Sequence, residues 1–373
     1  MVAAMDQPRN HDRIDAITGL RGMAALLVVY GHSVEWFALP WKNHLSGELG
    51  VMIFFSLSGF LMAYLYLDKQ FSITTVTEYG IHRFSRIAPA YLIILLASFF
   101  IYTQLDPHFV YNISEQNILR HLLFSGNVSV FWSITPEVEF YFLFVLFWAA
   151  VSRYRSRREL FPLLLLVLCS LILLSYRASF PGTFLGSKLH YFLFGAGAGM
   201  LRSVVRSDQQ RDRTSLSLLH AVLAVSPILI LCGWLPLAFS SNNTFYDSVL
   251  SAVFGALIVF CLSFPSALGA IVFENKFILL CGECSFSIYL LHMPVIYLFH
   301  QWHPEPLQSP LQLLLLAPFI ALVLLFSWLN YRFVERPGAR LIKSTGKTLQ
   351  HKVLPFFALA DDTPAVPTES EIR

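Results

Sequence analysis

The sequence predicts an all-α polytopic membrane protein, a bundle of about ten transmembrane helices with both termini cytoplasmic. Three observations predict it. Of the 373 residues, 56% are hydrophobic and only 13% charged, at a mean hydropathy of +0.60, where a soluble domain carries roughly 25% charged residues. Ten apolar runs approach or reach the ~20 residues that cross ~30 Å of hydrocarbon as a helix. The Lys and Arg side chains divide between the loops of the two sides as 22 to 4, which is the asymmetry of the positive-inside rule. An ordinary soluble enzyme is excluded. The net charge of +3 is too small to argue for nucleic acid.

The runs are Leu20–Leu39, Leu49–Leu67, Ile87–Thr103, Phe131–Val151, Leu160–Tyr176, Leu189–Leu201, Leu216–Leu235, Tyr246–Phe264, Phe277–Phe299 and Leu311–Tyr331. Each should be helical, because hydrocarbon offers an open backbone no hydrogen-bond partner. The sixth is short, and Gly195, Gly197 and Gly199 predict close helix packing there. Gly59 predicts a similar approach on the second. The first run begins too late, is too long and lacks the small-residue cleavage site of a signal peptide. The expected divisions are a cytoplasmic tail over 1–15, a transmembrane domain over 16–345 and a polar, unstructured tail over 346–373.

Five cysteines, mostly inside apolar runs, give no disulfide framework, and Cys281-Gly-Glu-Cys284 lacks the second pair that a zinc or redox site would need. No metal site is expected. Three sequons, at Asn112, Asn127 and Asn242, fall on loops assigned to the outer side.

Ionisable residues within or at the ends of spans are the functional candidates, since burying charge in a membrane is costly. Arg21 and His32 are 11 residues apart on the first helix. That is close to three turns, so both project from one face, roughly 16 Å apart along the axis. Alone, Arg21 would read as an interfacial anchor and His32 as a helix-to-helix bond; a shared face argues for a site. Arg83 and Arg86 are neighbours at i and i+3 where the third span leaves the cytoplasmic edge. Two guanidiniums side by side repel unless an anion joins them, and their forked geometry suits phosphate.

Glu137 follows Thr135 and Pro136, which look like the N-cap and first residue of the fourth helix. A carboxylate in that first turn is favoured by the helix dipole without any chemistry. The functional reading places Glu137 level with His32 in the outer half. Glu139 points elsewhere and is the lesser candidate. His292 is assigned chiefly a structural role, bonding a neighbouring helix near a kink at Pro294. The layout has two levels: arginines at the cytoplasmic edge, a seat for a phosphorylated carrier, and a histidine deeper toward the outside.

In this order, the residues resemble the acyltransferase 3 family of integral membrane O-acyltransferases, typified by bacterial enzymes that acetylate cell-surface sugars. The resemblance runs from Arg13 to about Arg340. It rests on Arg21-x10-His32, Arg83-Phe-Ser-Arg86, Phe54-Phe55 through Gly59-Phe60, Trp132-Ser133 through Glu137 and Phe140-Tyr141, Ser285 to Pro294, and Glu335-Arg336-Pro337. The family's adjacent pair of acids is broken here by Val138, which leaves Glu137 as the matched residue. Some members carry a further hydrolase-like domain after the membrane region, and none is expected in this sequence.

The resemblance implies a multi-pass protein of the bacterial plasma membrane. It would move an acyl group, acetyl foremost, from acyl-CoA, the donor substrate, to a hydroxyl of a cell-surface or lipid-linked carbohydrate. On the residues, Arg21, Arg83 and Arg86 would hold the phosphates of the donor. His32 would act as general base, a role suited to histidine near neutral pH. Glu137 would fix the tautomer of His32. The competing reading is a transporter of acyl groups or glycan precursors with a His32–Glu137 proton relay. It gives no reason for the paired arginines.

Overall fold

A computed structural model describes residues 14–39, 46–205 and 248–358, together with Leu223, Ser226 and Tyr246. These residues form helices joined by loops, and no strand occurs among them. The sequence-predicted span 216–235, apart from Leu223 and Ser226, and the sequon at Asn242 lie outside the described residues.

The helices are α1 (Asp15–Trp36), α2 (Ser46–Tyr66), α3 (Ile73–Phe100), α4 (Ile118–Leu122), α5 (Ile134–Arg157), α6 (Phe161–Ser175) and α7 (Leu185–Val204). After the undescribed stretch come α8 (Val249–Leu262), α9 (Ala267–Phe273), α10 (Lys276–Glu283), α11 (Ser285–Trp302), α12 (Pro310–Leu313), α13 (Leu316–Asn330) and α14 (Arg336–Ala358). Among the described residues, five helical stretches are long and apolar enough to cross a membrane: Asp15–Trp36, Ser46–Tyr66, Ile73–Leu105, Ser129–Arg157 and Pro310–Gln350. The pair α10–α11 would make a sixth, and α6 and α8 are shorter apolar helices.

At the centre, α2 packs against α1 and α7. Glycine permits the α2–α7 approach: a Cβ at Gly59 would run into the Phe192 backbone, and one at Gly195 into that of Ser56. Small residues at such crossings let backbones meet where lipid supplies no hydrophobic drive. Gly197, predicted to share this role, faces open space instead.

Three boundaries differ from the sequence reading. The ninth span is not one helix kinked at Pro294. It breaks at Cys284, where α10 and α11 meet at 79°, while Pro294 sits inside α11. Thr135 and Pro136 are not the start of α5. A 3-10 turn over Ser129–Ser133 leads into Ile134, so both lie in the first turn, and the Thr135 hydroxyl donates to Gly126 O at 3.1 Å. The last span does not give way to a tail at Gly346. After a π turn at Tyr331–Glu335, α14 continues to Ala358. Pro337 lacks a backbone N–H and crowds the preceding turn, and a widened π turn accommodates that without ending the helix. Gly338 of α14 packs on Pro89 of α3 and Gly346 on Ile81, and the Gln350 amide donates to Thr74 O at 3.1 Å. The final helix therefore lies antiparallel along α3.

The loop between α3 and α5 folds into the bundle. Tyr111 and His121 are fully buried, the Tyr111 hydroxyl donates to Leu290 O at 2.7 Å, and Tyr91 of α3 donates to His121 O at 2.7 Å. Asp106, at the loop's start, accepts from the Tyr297 hydroxyl at 2.6 Å. That bond, with the His108 N–H, holds the Asp106 carboxyl below the usual range.

Candidate active site

The break at Cys284 builds one wall of the site. Gly22 of α1 lies against the backbone of Ile278 and Gly282, and Gly282 against Thr18 O, so α1 and α10 are in backbone contact. This brings Arg21 to the first residue of α11, where its Nη2 donates to Ser285 Oγ at 2.9 Å.

Helix α3 supplies the opposite wall. Its start is fixed by a reciprocal cap in which Ser72 Oγ accepts from Thr75 N and Thr75 Oγ1 from Ser72 N. Arg83, about three turns on, places its guanidinium 5.5, 5.7 and 5.9 Å from the rings of Tyr66, Tyr79 and Tyr141, in range for cation–π attraction. Its Nε is buried without a hydrogen-bond partner. A buried donor left unmade costs ~1–3 kcal/mol, so this position favours an acceptor brought by a ligand.

Arg21, Arg83, Arg86 and Glu137 all line one cavity of about 460 Å³. Its walls also carry Arg336, Arg340 and Lys343 from α14, against a second carboxylate, Glu335. Among the described residues none of these six cations is ion-paired; the ion pairs there are Arg155–Asp68 and Arg157–Glu159, both exposed. Six cations against two carboxylates leave the cavity with an excess of positive charge, which draws a polyanion. Sequence reasoning counted Arg340 and Lys343 only toward topology, and Arg336 otherwise only as part of the Glu335-Arg336-Pro337 motif. Their i, i+4, i+7 spacing, which sets them on one helix face, is the signal that could have singled them out.

The carboxylates have local work. Glu137 Oε1 accepts from the Tyr141 hydroxyl at 2.7 Å and from Ser58 Oγ at 3.3 Å. Buried Glu335 accepts from Ser287 Oγ at 2.6 Å, and Asn330 donates to the same Oγ. Glu139 accepts the Leu185 N–H at 2.7 Å at the start of α7, where a carboxylate meets the positive end of the helix dipole.

His32 is not brought to Glu137 and does not line this cavity. Its Nδ1 is 3.1 Å from His292 Nε2 and 3.2 Å from Val28 O, with the two imidazole centroids 5.1 Å apart. The partner expected to be Glu137 is therefore His292, which is fully buried and whose Nδ1 lies 3.1 Å from Ile288 O. The structural bond expected of His292 is present, and it ends on the candidate base. Tyr289 connects the two levels: it lines the cavity, its ring centroid is 5.9 Å from that of His292, and its hydroxyl is held by Ser133 Oγ at 2.7 Å and Val130 O at 3.0 Å.

The described residues, all helix and loop with several membrane-length apolar helices, enclose a cationic cavity and a histidine pair, the build of an integral membrane protein with a polar interior site. The family model for the acyltransferase domain of the acyltransferase 3 type matches residues 14–332, and the chain belongs to this family. It is 25% identical over 364 residues to the peptidoglycan O-acetyltransferase OatA of Listeria monocytogenes, covering 87% of this chain and 55% of that one. It is 24% identical over 362 residues to "Putative peptidoglycan O-acetyltransferase YrhL" of Bacillus subtilis, covering 88% and 55%. The chain thus spans about half the length of these curated relatives. No solved structure matches it. Arg340 and Lys343 lie beyond the matched residues, yet line the same cavity as Arg21, Arg83 and Arg86.

Proposed function

We propose that this protein is an O-acyltransferase that moves an acyl group, acetyl foremost, from the thioester of acyl-CoA to a hydroxyl of a cell-surface or lipid-linked carbohydrate. One observation carries the donor assignment: six cations without an ion pair among the described residues, one with a buried and unbonded Nε, share a single cavity. Phosphates of a nucleotide-bearing thioester would satisfy them by charge-assisted bonds. The carbohydrate assignment draws on the names of the relatives, two of which specify peptidoglycan.

Ten crossings with cytoplasmic termini belong to the same proposal. The long apolar helices and the 22 to 4 split of Lys and Arg support it. The cationic end of the cavity then faces the cytosol, where the donor is found, and His32 lies toward the outside. The pantetheine arm runs from Arg83 and Arg86 past Arg21, and the thioester reaches His32 by way of Tyr289.

At His32, Nε2 takes the proton of the acceptor hydroxyl as its oxygen attacks the thioester carbonyl. The new C–O bond forms and the C–S bond breaks. The leaving thiolate then recovers the proton from Nε2. A general base contributes about 10²–10⁴-fold.

The test is transfer of label from radioactive acetyl-CoA to glycan or lipid in membranes containing the protein. Label that depends on His32 supports the proposal. Label no greater than that of folded His32→Ala, across several acceptor extracts, refutes it.

A further inference from the structure

We infer that His292 is a positioning residue that holds the proton of His32 on Nδ1 and thereby leaves the lone pair of His32 Nε2 free to act. The inference rests on the reading of His32 as base, and it follows from which atoms can donate in a chain of three contacts.

The chain begins at Ile288 O, a backbone carbonyl that can only accept. His292 Nδ1 lies 3.1 Å from it and therefore carries the hydrogen. Neutral imidazole has one N–H, so His292 Nε2 is an acceptor. His32 Nδ1 is 3.1 Å from that Nε2 and 3.2 Å from Val28 O. Both neighbours accept, so the His32 proton sits on Nδ1, shared between them. The opposite assignment would set lone pair against lone pair at Ile288 O and at Val28 O.

The remaining nitrogen, His32 Nε2, has no hydrogen-bond partner among the described residues, and His32 is half-buried while His292 is fully buried. The fully buried histidine orients; the less buried one reacts. His292 thus occupies the place that a carboxylate takes in a serine hydrolase triad, where the third residue fixes the tautomer and supports the imidazolium. A neutral imidazole gives the same orientation without placing a second charge in the membrane, at the cost of weaker support for the cation.

The Val28 carbonyl alone also favours Nδ1–H, but it belongs to the same helix and holds the ring from one side only. His292 comes from α11, the helix whose first residue bonds Arg21. One helix therefore positions both a donor-binding arginine and the base, two levels apart.

The test compares His292→Phe with His292→Gln in the full chain, reconstituted in lipid nanodiscs and assayed with radioactive acetyl-CoA and a glycan extract that the wild type labels. Glutamine can present an amide oxygen where Nε2 stood. His292→Phe is expected to lower kcat about tenfold or more with KM for acetyl-CoA within about twofold, and His292→Gln to recover most of the loss. A His292→Phe variant with wild-type kcat overturns the inference, and so does an equal loss in both variants.

The imidazole ¹⁵N spectrum of histidine-labelled wild type reads the tautomer without any turnover. The His32 signals, identified by their loss in His32→Gln, should show protonated Nδ1 and bare Nε2, and the reverse pattern overturns the inference. Should His32→Ala retain transfer, the reading of His32 as base fails, while the spectrum still decides the tautomer.

Discussion

Arg21 on α1 and Ser285 at the first residue of α11 are joined by a 2.9 Å hydrogen bond across 264 residues of sequence. The bond exists because Gly22 and Gly282 let α1 and α10 meet backbone to backbone. Replacing Gly282 by leucine should force these helices apart, since its Cβ would collide with Thr18 O. Overpacking of this kind costs about 1–3 kcal/mol or more. The expected outcome is a lower thermal midpoint and a raised KM for acetyl-CoA, measured on the detergent-solubilised protein.

Arg83 holds its site by shape as well as charge. Lysine there would keep the charge but lose the planar fork that lies among three tyrosines and is able to bond a phosphate twice. Arg83→Lys is therefore expected to raise KM for acetyl-CoA about tenfold or more, one charge-assisted bond being worth roughly 1.5–3 kcal/mol, with kcat little changed. Steady-state kinetics against donor concentration checks this.

Glu137 bonds Tyr141 and Ser58 and makes no bond to His32. Glu137→Gln keeps an oxygen to accept from Tyr141, so it should cost under about tenfold in kcat, whereas His32→Ala should cost about 10²–10⁴-fold. Equal losses in the two variants would restore Glu137 to the base.

Arg340 and Lys343 should strengthen donor binding through charge. The double change to alanine is expected to raise KM for acetyl-CoA and to flatten its dependence on ionic strength, because screening acts on the charges removed. Titrating salt in both proteins measures the difference.

The Asp106–Tyr297 bond predicts a pH effect on stability. Asp106 has a folded pKa below its ordinary value, chiefly through the Tyr297 hydroxyl. Such a group contributes stability that is present above the ordinary carboxylate range and is lost as pH falls through the lowered folded value. Thermal midpoints of wild type and Tyr297→Phe should differ at neutral pH and converge in acid.

Much of this site was legible in the sequence because helical spacing is local. The 11-residue interval of Arg21 and His32 and the i, i+3 pair Arg83/Arg86 follow from a fixed rise and turn. What the sequence hid depends on how distant helices meet. No local pattern says that His292 rather than Glu137 faces His32, since 260 residues separate the histidines and a break at Cys284 sets the direction of α11. The same holds for α14, whose cations reach the cavity because Gly338 and Gly346 lie against α3. The tyrosines around Arg83 come from three helices and share no spacing.

If donor binding and chemistry reside on separate levels of one bundle, acetyl-CoA affinity and single-turnover transfer, measured on the same preparations, will respond to different residues. His32→Ala should bind acetyl-CoA as the wild type does and transfer nothing detectable. Arg83→Ala/Arg86→Ala should bind at least tenfold more weakly and transfer at a near-normal rate once saturated, the loss of charge-assisted bonds being a binding loss. Loss of affinity in His32→Ala, or undiminished affinity in the arginine variant, would contradict a division of binding and chemistry between two levels.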